Sequence, residues 1–284
     1  MIREIIVVLV IGFLAWAYQA TIPPPPKICG SPGGPAITGP RIKLRDGRHL
    51  AYKEHGLPKH LAKHKIIFFH GFGSSRHDEV VEELGIYIVS FDRPGYGESD
   101  PNPKRTIRSL ALDTEELADQ LGLGSKFYVV GSSMGGQTVW SCLKYIPYRL
   151  AGATLIAPVI NYWWPGFPRN LSKKAYNLQL AQDQWALRLV THPQIFSPQD
   201  RQILPKLAGR KRHKSQVLQQ GVFESNHRDL MIGFGRWEFD PMDLQNPFPK
   251  GEGTVHIWHG DEDRLVPVIL QPLHSGKTSM DSIS

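Results

Sequence analysis

The chain is poor in cysteine, with only Cys29 and Cys142 among 284 residues, so a disulfide framework is excluded. No internal repeat is visible. No module that interleaves basic residues with stacking aromatics is present, so the net charge of +7 gives no nucleic-acid binder. Basic residues are scattered except at Arg210-Lys211-Arg212-His213-Lys214, which reads either as a solvated helix end or as a patch attracted to anionic lipid headgroups. Long apolar runs are also scarce. The single one, Ile5 to Ile22, is uncharged and as a helix would extend about 27 Å, just enough to cross a bilayer.

That run is expected to be a membrane anchor or a signal segment over residues 1–22. A buried helix is the third reading. Ala15 and Ala17 suit a cleaved signal and a secreted protein, whereas Glu4 weakens the positive leader that a signal needs. Pro23 to Pro26 then forms a stiff spacer, and the Pro/Gly-rich linker over residues 23–40 continues to Pro40. Lys27, Arg41, Lys43 and Arg45 follow the run and favour a cytosolic domain on a single-pass endomembrane anchor. Asn170-Leu171-Ser172 is a glycosylation sequon that matters only on the lumenal side. Cys29, near the expected membrane, is a palmitoylation candidate or an idle thiol.

What the chain does have is Tyr128-Val129-Val130-Gly131-Ser132-Ser133-Met134-Gly135-Gly136, an apolar strand running through G-x-S-x-G into a helical pattern. This is the pattern of a nucleophile elbow with Ser133 at its tip. Side chains at Gly131 and Gly135 would collide with neighbouring backbone, and the Met134 amide, at the helix start, is placed to bond an oxyanion. Lys65 to Phe69 reads as a buried strand opening into His70-Gly71-Phe72-Gly73, whose Phe72 amide is a second candidate donor. Ile86 to Phe91, Gly152 to Val159 and Thr254 to Trp258 are further strands. The last ends in His259-Gly260-Asp261-Glu262-Asp263. Helical stretches at Thr114 to Leu121 and Gln137 to Tyr145 alternate with them, which predicts a mostly parallel sheet with helices on both faces. Asp46-Gly47 predicts a hairpin supplying an antiparallel edge.

These motifs, in this order at successive strand ends, resemble the α/β-hydrolase family over about Pro40 to Val268. A looser similarity to a plant-type, membrane-anchored subgroup rests on Arg45-Asp46-Gly47-Arg48, Phe91 to Asp100 and Trp163 to Pro168. The resemblance implies an α/β-hydrolase domain over 41–284 with a lid insertion at about 160–250. It places the nucleophile on Ser133, the triad acid on Asp263 and the oxyanion amides on Phe72 and Met134. No cofactor or metal is implied. The implied chemistry is that of a carboxylesterase or lipase, acting on a small-molecule acyl ester through an acyl-serine. Tyr162, Trp163, Trp164 and Phe167 open the lid and could line an acyl pocket, meet a bilayer interface or pack in the core.

The base is where the pattern departs. The resemblance implies a histidine after one more helix and strand, yet the tail Gln271 to Ser279 is polar, carries Pro272 and reads as disordered. The sheet is therefore expected to end at Thr254 to Trp258, with an incomplete carboxy-terminal end and impaired activity. His274 is the only histidine beyond the acid; His70 is expected to brace the oxyanion loop, His259 to cap a strand and His227 to lie on the surface. A non-catalytic binding protein of the same fold, or a truncated inactive isoform, is the alternative reading. Neither the ester nor the oligomeric state is legible in these residues.

Overall fold

The computed structural model describes residues 2–76, 85–162, 166–177, 216–261, 263, 266, 268–270 and 279–283. Strands β1 (Arg41–Lys43), β2 (His49–Gly56), β3 (Lys65–Phe69), β4 (Tyr87–Phe91), β5 (Phe127–Ser132), β6 (Leu150–Ile156), β7 (Val255–Gly260) and β8 (Ser279–Ile283) form one sheet of eight strands. Their order is β1-β2-β4-β3-β5-β6-β7-β8. The β1–β2 and β2–β4 pairs are antiparallel, and all later pairs are parallel. Gly47 sits at φ +90° in the turn that folds β1 onto β2, a conformation that favours glycine. The sheet class read from the sequence is therefore the one observed.

Helix α1 spans Ile2–Thr21, α2 Ile107–Gln120, α3 Gly135–Tyr145, α4 Arg169–Asn177 and α5 Arg228–Gly233. Helix α2 starts at a reciprocal cap in which Thr106 and Ser109 each bond the other's backbone amide. Its Ile107, Leu110, Ala111, Leu117 and Ala118 are buried, and Ser141 of α3 donates to the Ile107 carbonyl at 2.5 Å. Beneath the helices the sheet contributes Ile67, Phe69, Val89, Phe91, Val129 and Leu155, all fully buried. By register all six lie on one face of the sheet, at every second position of their strands, as the two-residue repeat of a pleated strand requires.

Two expectations at the ends of the chain need revision. The sheet does not stop at β7, because Ser279–Ile283 adds parallel to it, with Ile257 opposite Met280 and Gly260 opposite Ile283. Unpaired backbone along β7 accepts a polar segment as readily as an apolar one, since the ladder is made by main-chain groups. The rest of the expected tail, including His274, lies outside the described residues.

The amino-terminal run forms α1, with Ile5, Leu9, Phe13 and Trp16 exposed. Among the described residues no helix is long and apolar enough to cross a membrane.

The Pro/Gly-rich segment after α1 is bonded to the domain. The Lys27 amide donates to the Gln220 carbonyl at 2.9 Å, and Cys29 is buried. Thr38 and Gly39 donate backbone bonds to Glu98, whose carboxylate also pairs with the buried Arg76. Burial pushes the Cys29 thiol up to about 11, so it is an inert thiol.

Candidate functional site

Ser133 is the first residue past β5 and sits at φ +53°, in the left-handed region that a side chain rarely adopts. Its backbone is held on both sides by the neighbouring strand's exit: Ser133 N–H donates to Ile156 at 2.9 Å, and Val159 N–H donates to Ser133 at 3.1 Å. The turn then enters α3 directly, with Gly136 and Gln137 bonding back to Ser133 and Met134. There is no room for side chains around this bend. A Cβ on Gly131 would lie 2.5 Å from the Gly135 carbonyl, and one on Gly135 would strike the Phe69 and His70 carbonyls. The collisions expected at both flanking glycines are thus present. Ser133 itself is half-buried, so its hydroxyl is not sealed in the core.

The loop after β3 packs against this serine. A Cβ on Gly71 would lie 3.2 Å from Ser133 Cβ and 3.8 Å from its Oγ, so the Gly71 backbone and the hydroxyl are neighbours. Phe72 is partly buried against the core, and the Met134 side chain is fully buried. The Met134 amide lies at the start of α3, where the first N–H groups have no intrahelical acceptor and the helix dipole favours negative charge.

His70 is fully buried and braces that loop. The Arg93 amide donates to its Nε2 at 3.1 Å, which leaves Nδ1 as the donor to the Gly71 carbonyl at 2.8 Å. Burial, and after it the Arg93 charge, pushes the imidazole down to about 3, so it is neutral.

Sequence reasoning missed what stands behind His70. Arg93 forms a bidentate pair with Asp229 of α5 at 2.5 and 2.7 Å, and Arg105 and the Tyr96 hydroxyl bond the same carboxylate at 2.9 Å each. Burial alone would raise the Asp229 carboxyl, but Arg93 and Arg105 outweigh it and hold it below the ordinary value. Arg93 Nη2 also reaches the Gly71 carbonyl at 3.2 Å. The signal that could have found this group is Arg93 itself: an arginine just past a mainly apolar strand is buried only with an acid to pair it.

Asp263 lies in the turn after β7. Its amide donates to Gly260 at 3.1 Å, its Oδ1 accepts the Val266 amide at 2.9 Å, and its Oδ2 is 3.4 Å from His259 Nε2. His259 is buried rather than a simple strand cap, and its Nε2 also donates to the Val266 carbonyl at 2.6 Å. Tyr162, three residues beyond Val159, has its hydroxyl pushed up by burial and by the Asp263 charge. Ser133 is thus bonded to the segment that leaves β6, and the Asp263 charge acts on the Tyr162 hydroxyl of that same segment.

Tyr162 and Phe167 are buried and meet edge to face with centroids 5.9 Å apart, so these two lid aromatics belong to the core. Trp163, Trp164, the basic cluster at 210–214 and the rest of residues 178–215 of the expected lid lie outside the described residues. Asn170 is exposed on α4, and His227 is exposed and stacked on Phe223. A depression of about 370 Å³, lined by Glu54, His55, Lys59, His60 and Tyr87, lies at the amino-terminal end of β4, away from Ser133. Ligands of parallel sheets gather at the opposite, carboxyl ends, so the chemistry of Ser133 outweighs the size of that depression. Among the described residues no cluster of His, Cys, Asp and Glu could hold a metal ion.

Comparison with known proteins agrees with this geometry. The sequence profile of the alpha/beta hydrolase fold matches residues 65–277. A curated relative, the dihydrolipoyllysine-residue acetyltransferase component of an acetoin cleaving system from Cupriavidus necator, is 29% identical over 99 residues. That match spans 33% of this chain and only 26% of the relative. Among solved structures, a bromoperoxidase from Bacillus anthracis superimposes with a TM-score of 0.60 at 17% identity, covering 86% of this chain and 91% of that one. An esterase from Exiguobacterium antarcticum gives 0.56 at 18% identity, with 87% and 91% covered. A thermophilic esterase from Thermogutta terrifontis gives 0.54 at 17% identity, with 87% and 90% covered. At such identities these structures speak for the fold alone. With the profile covering three quarters of its length, the chain belongs to the α/β-hydrolase fold family.

Proposed function

We propose that this protein is a serine hydrolase of the carboxylesterase or lipase type, cleaving a small-molecule acyl ester through an acyl intermediate on Ser133. In this reading Ser133 Oγ attacks the ester carbonyl, the Phe72 and Met134 amides receive the developing oxyanion, and the alcohol leaves with a proton. Water then releases the acid and restores the hydroxyl. Asp263 takes the place of the triad acid. The observation that carries the reading is the strained, half-buried Ser133 lying against the Gly71 backbone. Strain of this kind is retained where it aims a reactive group. Labelling of the native chain by a fluorophosphonate probe tests it: an adduct at Ser133, lost on unfolding, is expected, and labelling that ignores unfolding or avoids Ser133 defeats it.

A second reading, a binding protein that keeps the fold without turnover, is favoured by the histidines. Among the described residues none hydrogen-bonds to Ser133 Oγ, and His259, beside Asp263, already donates its Nε2 proton to Val266. A serine triad without its base loses activity by about a millionfold. Ester turnover by the full chain separates the readings: hydrolysis that is abolished by Ser133→Ala excludes the second, and no turnover of any acyl ester tried excludes the first.

We also propose that α1 attaches the protein to lipid. Its support is the run of exposed Ile5, Ile6, Val8, Leu9, Phe13, Leu14 and Trp16. Flotation with phosphatidylcholine vesicles is expected for the full chain and not for one lacking residues 1–22. Equal flotation of the two would remove the helix from that role.

A further inference from the structure

We propose that Arg93 is a positioning residue which, with His70, clamps the Gly71 carbonyl and so aims the Phe72 amide, tying the oxyanion loop to α5 through Asp229. The inference rests on the reading of Ser133 as nucleophile and goes beyond it, by naming what holds one of its two oxyanion donors.

The argument is one of peptide geometry. A trans peptide is planar, so the carbonyl of one residue and the N–H of the next point in opposite directions. Whatever fixes the Gly71 oxygen therefore fixes the Phe72 hydrogen. That oxygen accepts two bonds, from His70 Nδ1 at 2.8 Å and from Arg93 Nη2 at 3.2 Å. Gly71 packs against Ser133, so rotation of this one peptide would exchange a donor for an acceptor beside the hydroxyl.

His70 alone is a short brace, since it is adjacent to Gly71 in the chain and would move with the loop. Arg93 is different: it lies past β4, and its guanidinium is anchored by two bonds to Asp229, from a part of the chain 136 residues away. Asp229 is anchored in turn by Arg105 and Tyr96. The whole assembly is buried, where a charge-assisted network holds its geometry firmly. The consequence is a coupling: displacement of α5 would loosen Arg93 and with it the Gly71–Phe72 peptide.

The test compares rates of fluorophosphonate labelling in the full-length chain. In that reaction Ser133 Oγ forms a bond to phosphorus, fluoride leaves, the hydroxyl proton passes to solvent, and the phosphoryl oxygen takes the oxyanion position. Arg93→Met and Arg93→Lys are set against Arg48→Met, which breaks a comparable bidentate pair with Asp113 far from the loop. Both Arg93 variants are expected to slow the limiting labelling rate about 10-fold, less than the ~100-fold of losing a donor outright because His70 remains. Their half-saturating probe concentration should stay within about twofold of wild type, and Arg48→Met should keep the wild-type rate per folded molecule. Arg93→Lys keeps a cation beside Asp229 and carries the comparison alone if Arg93→Met does not fold. Arg93 variants that label as fast as Arg48→Met overturn the clamp while leaving the nucleophile standing; a wild-type chain that does not label at all removes both.

Discussion

Ser133 and Ala157 are each the first residue past neighbouring strands, β5 and β6, and they are the two non-glycine residues with positive φ among those described, at +53° and +42°. The strand ends are thus strained side by side, and the Ser133 amide is bonded to the residue before Ala157. Such strain costs about 1 kcal/mol or more and is relieved by glycine. Ser133→Gly is therefore expected to melt a few degrees above Ser133→Ala, while both lose probe labelling. Thermal unfolding followed by circular dichroism checks this, and a Ser133→Gly variant that melts below Ser133→Ala would show that the bend is not strained.

His70 gives an acid dependence of known sign. Its imidazole is held down to about 3 against an ordinary 6.5, by burial first and by Arg93 second, with Asp229 and Arg105 also facing it. Between those values the unfolded chain binds a proton that the folded chain does not, so stability falls as pH falls from 6.5 towards 3, by up to about 1.4 kcal/mol per pH unit. His70→Asn, which can keep a donor to Gly71 near the Nδ1 position without titrating, should be less stable than wild type at neutral pH but lose less on acidification. Urea unfolding at several pH values measures the difference. Parallel curves for the two proteins would mean that His70 protonates freely in the fold.

The elbow, the glycine-rich loop after β3 and the turn bearing Asp263 were legible because each is written in a few consecutive residues whose sterics are local. Gly131 and Gly135 announce a bend that excludes Cβ atoms, and the structure has the carbonyls that exclude them. The buried group around Asp229 was not legible, because its members come from three separate segments and no periodicity links Arg93 to an acid 136 positions later. Strand β8 escaped for a different reason: Ser279–Ile283 has only Met280 and Ile283 as apolar residues, three apart and so without the alternation of a strand, and its pairing comes from the backbone of β7. The Pro/Gly-rich stretch after α1 has the same composition whether it hangs free or is bonded down, so only the contacts of Gln220 and Glu98 reveal that it is held.

The close approach at Gly135 predicts a large stability loss. A methyl group there would run into the Phe69 and His70 carbonyls, both backbone atoms of the central strand and the loop that follows it. Backbone cannot swing aside as a long side chain can, so overpacking of about 2–3 kcal/mol is expected for Gly135→Ala. Gly122→Ala is the instructive contrast. Gly122 has φ +65° but nothing within 4 Å of the added carbon, so it should lose only the conformational cost of about 1 kcal/mol. Equal losses for the two would mean that the Phe69 and His70 carbonyls give way to the added methyl group.

Gln220 joins the segment after α1 to the loop that carries Tyr96. Its Nε2 donates to the Gly97 carbonyl at 3.0 Å and to Ser99 at 2.7 Å, and its Oε1 accepts the Cys29 amide at 3.4 Å. The side chain is fully buried, so replacing it by leucine leaves the Cys29 amide without its acceptor in a site closed to water, while the Gly97 and Ser99 carbonyls keep bonds from Gln219 Nε2 and the Gly95 amide. A loss of about 1–2 kcal/mol is expected, together with faster proteolytic cleavage between residues 27 and 37, because Cys29 loses its bond and only the Lys27 amide, on the Gln220 backbone carbonyl, still ties this end of the strap. The bonds of Thr38 and Gly39 to Glu98 should survive, confining the opening to the amino-terminal part of the strap. Limited proteolysis with mass-spectrometric mapping reads both effects, and unchanged cleavage in Gln220→Leu would show that the segment is held by its own packing instead.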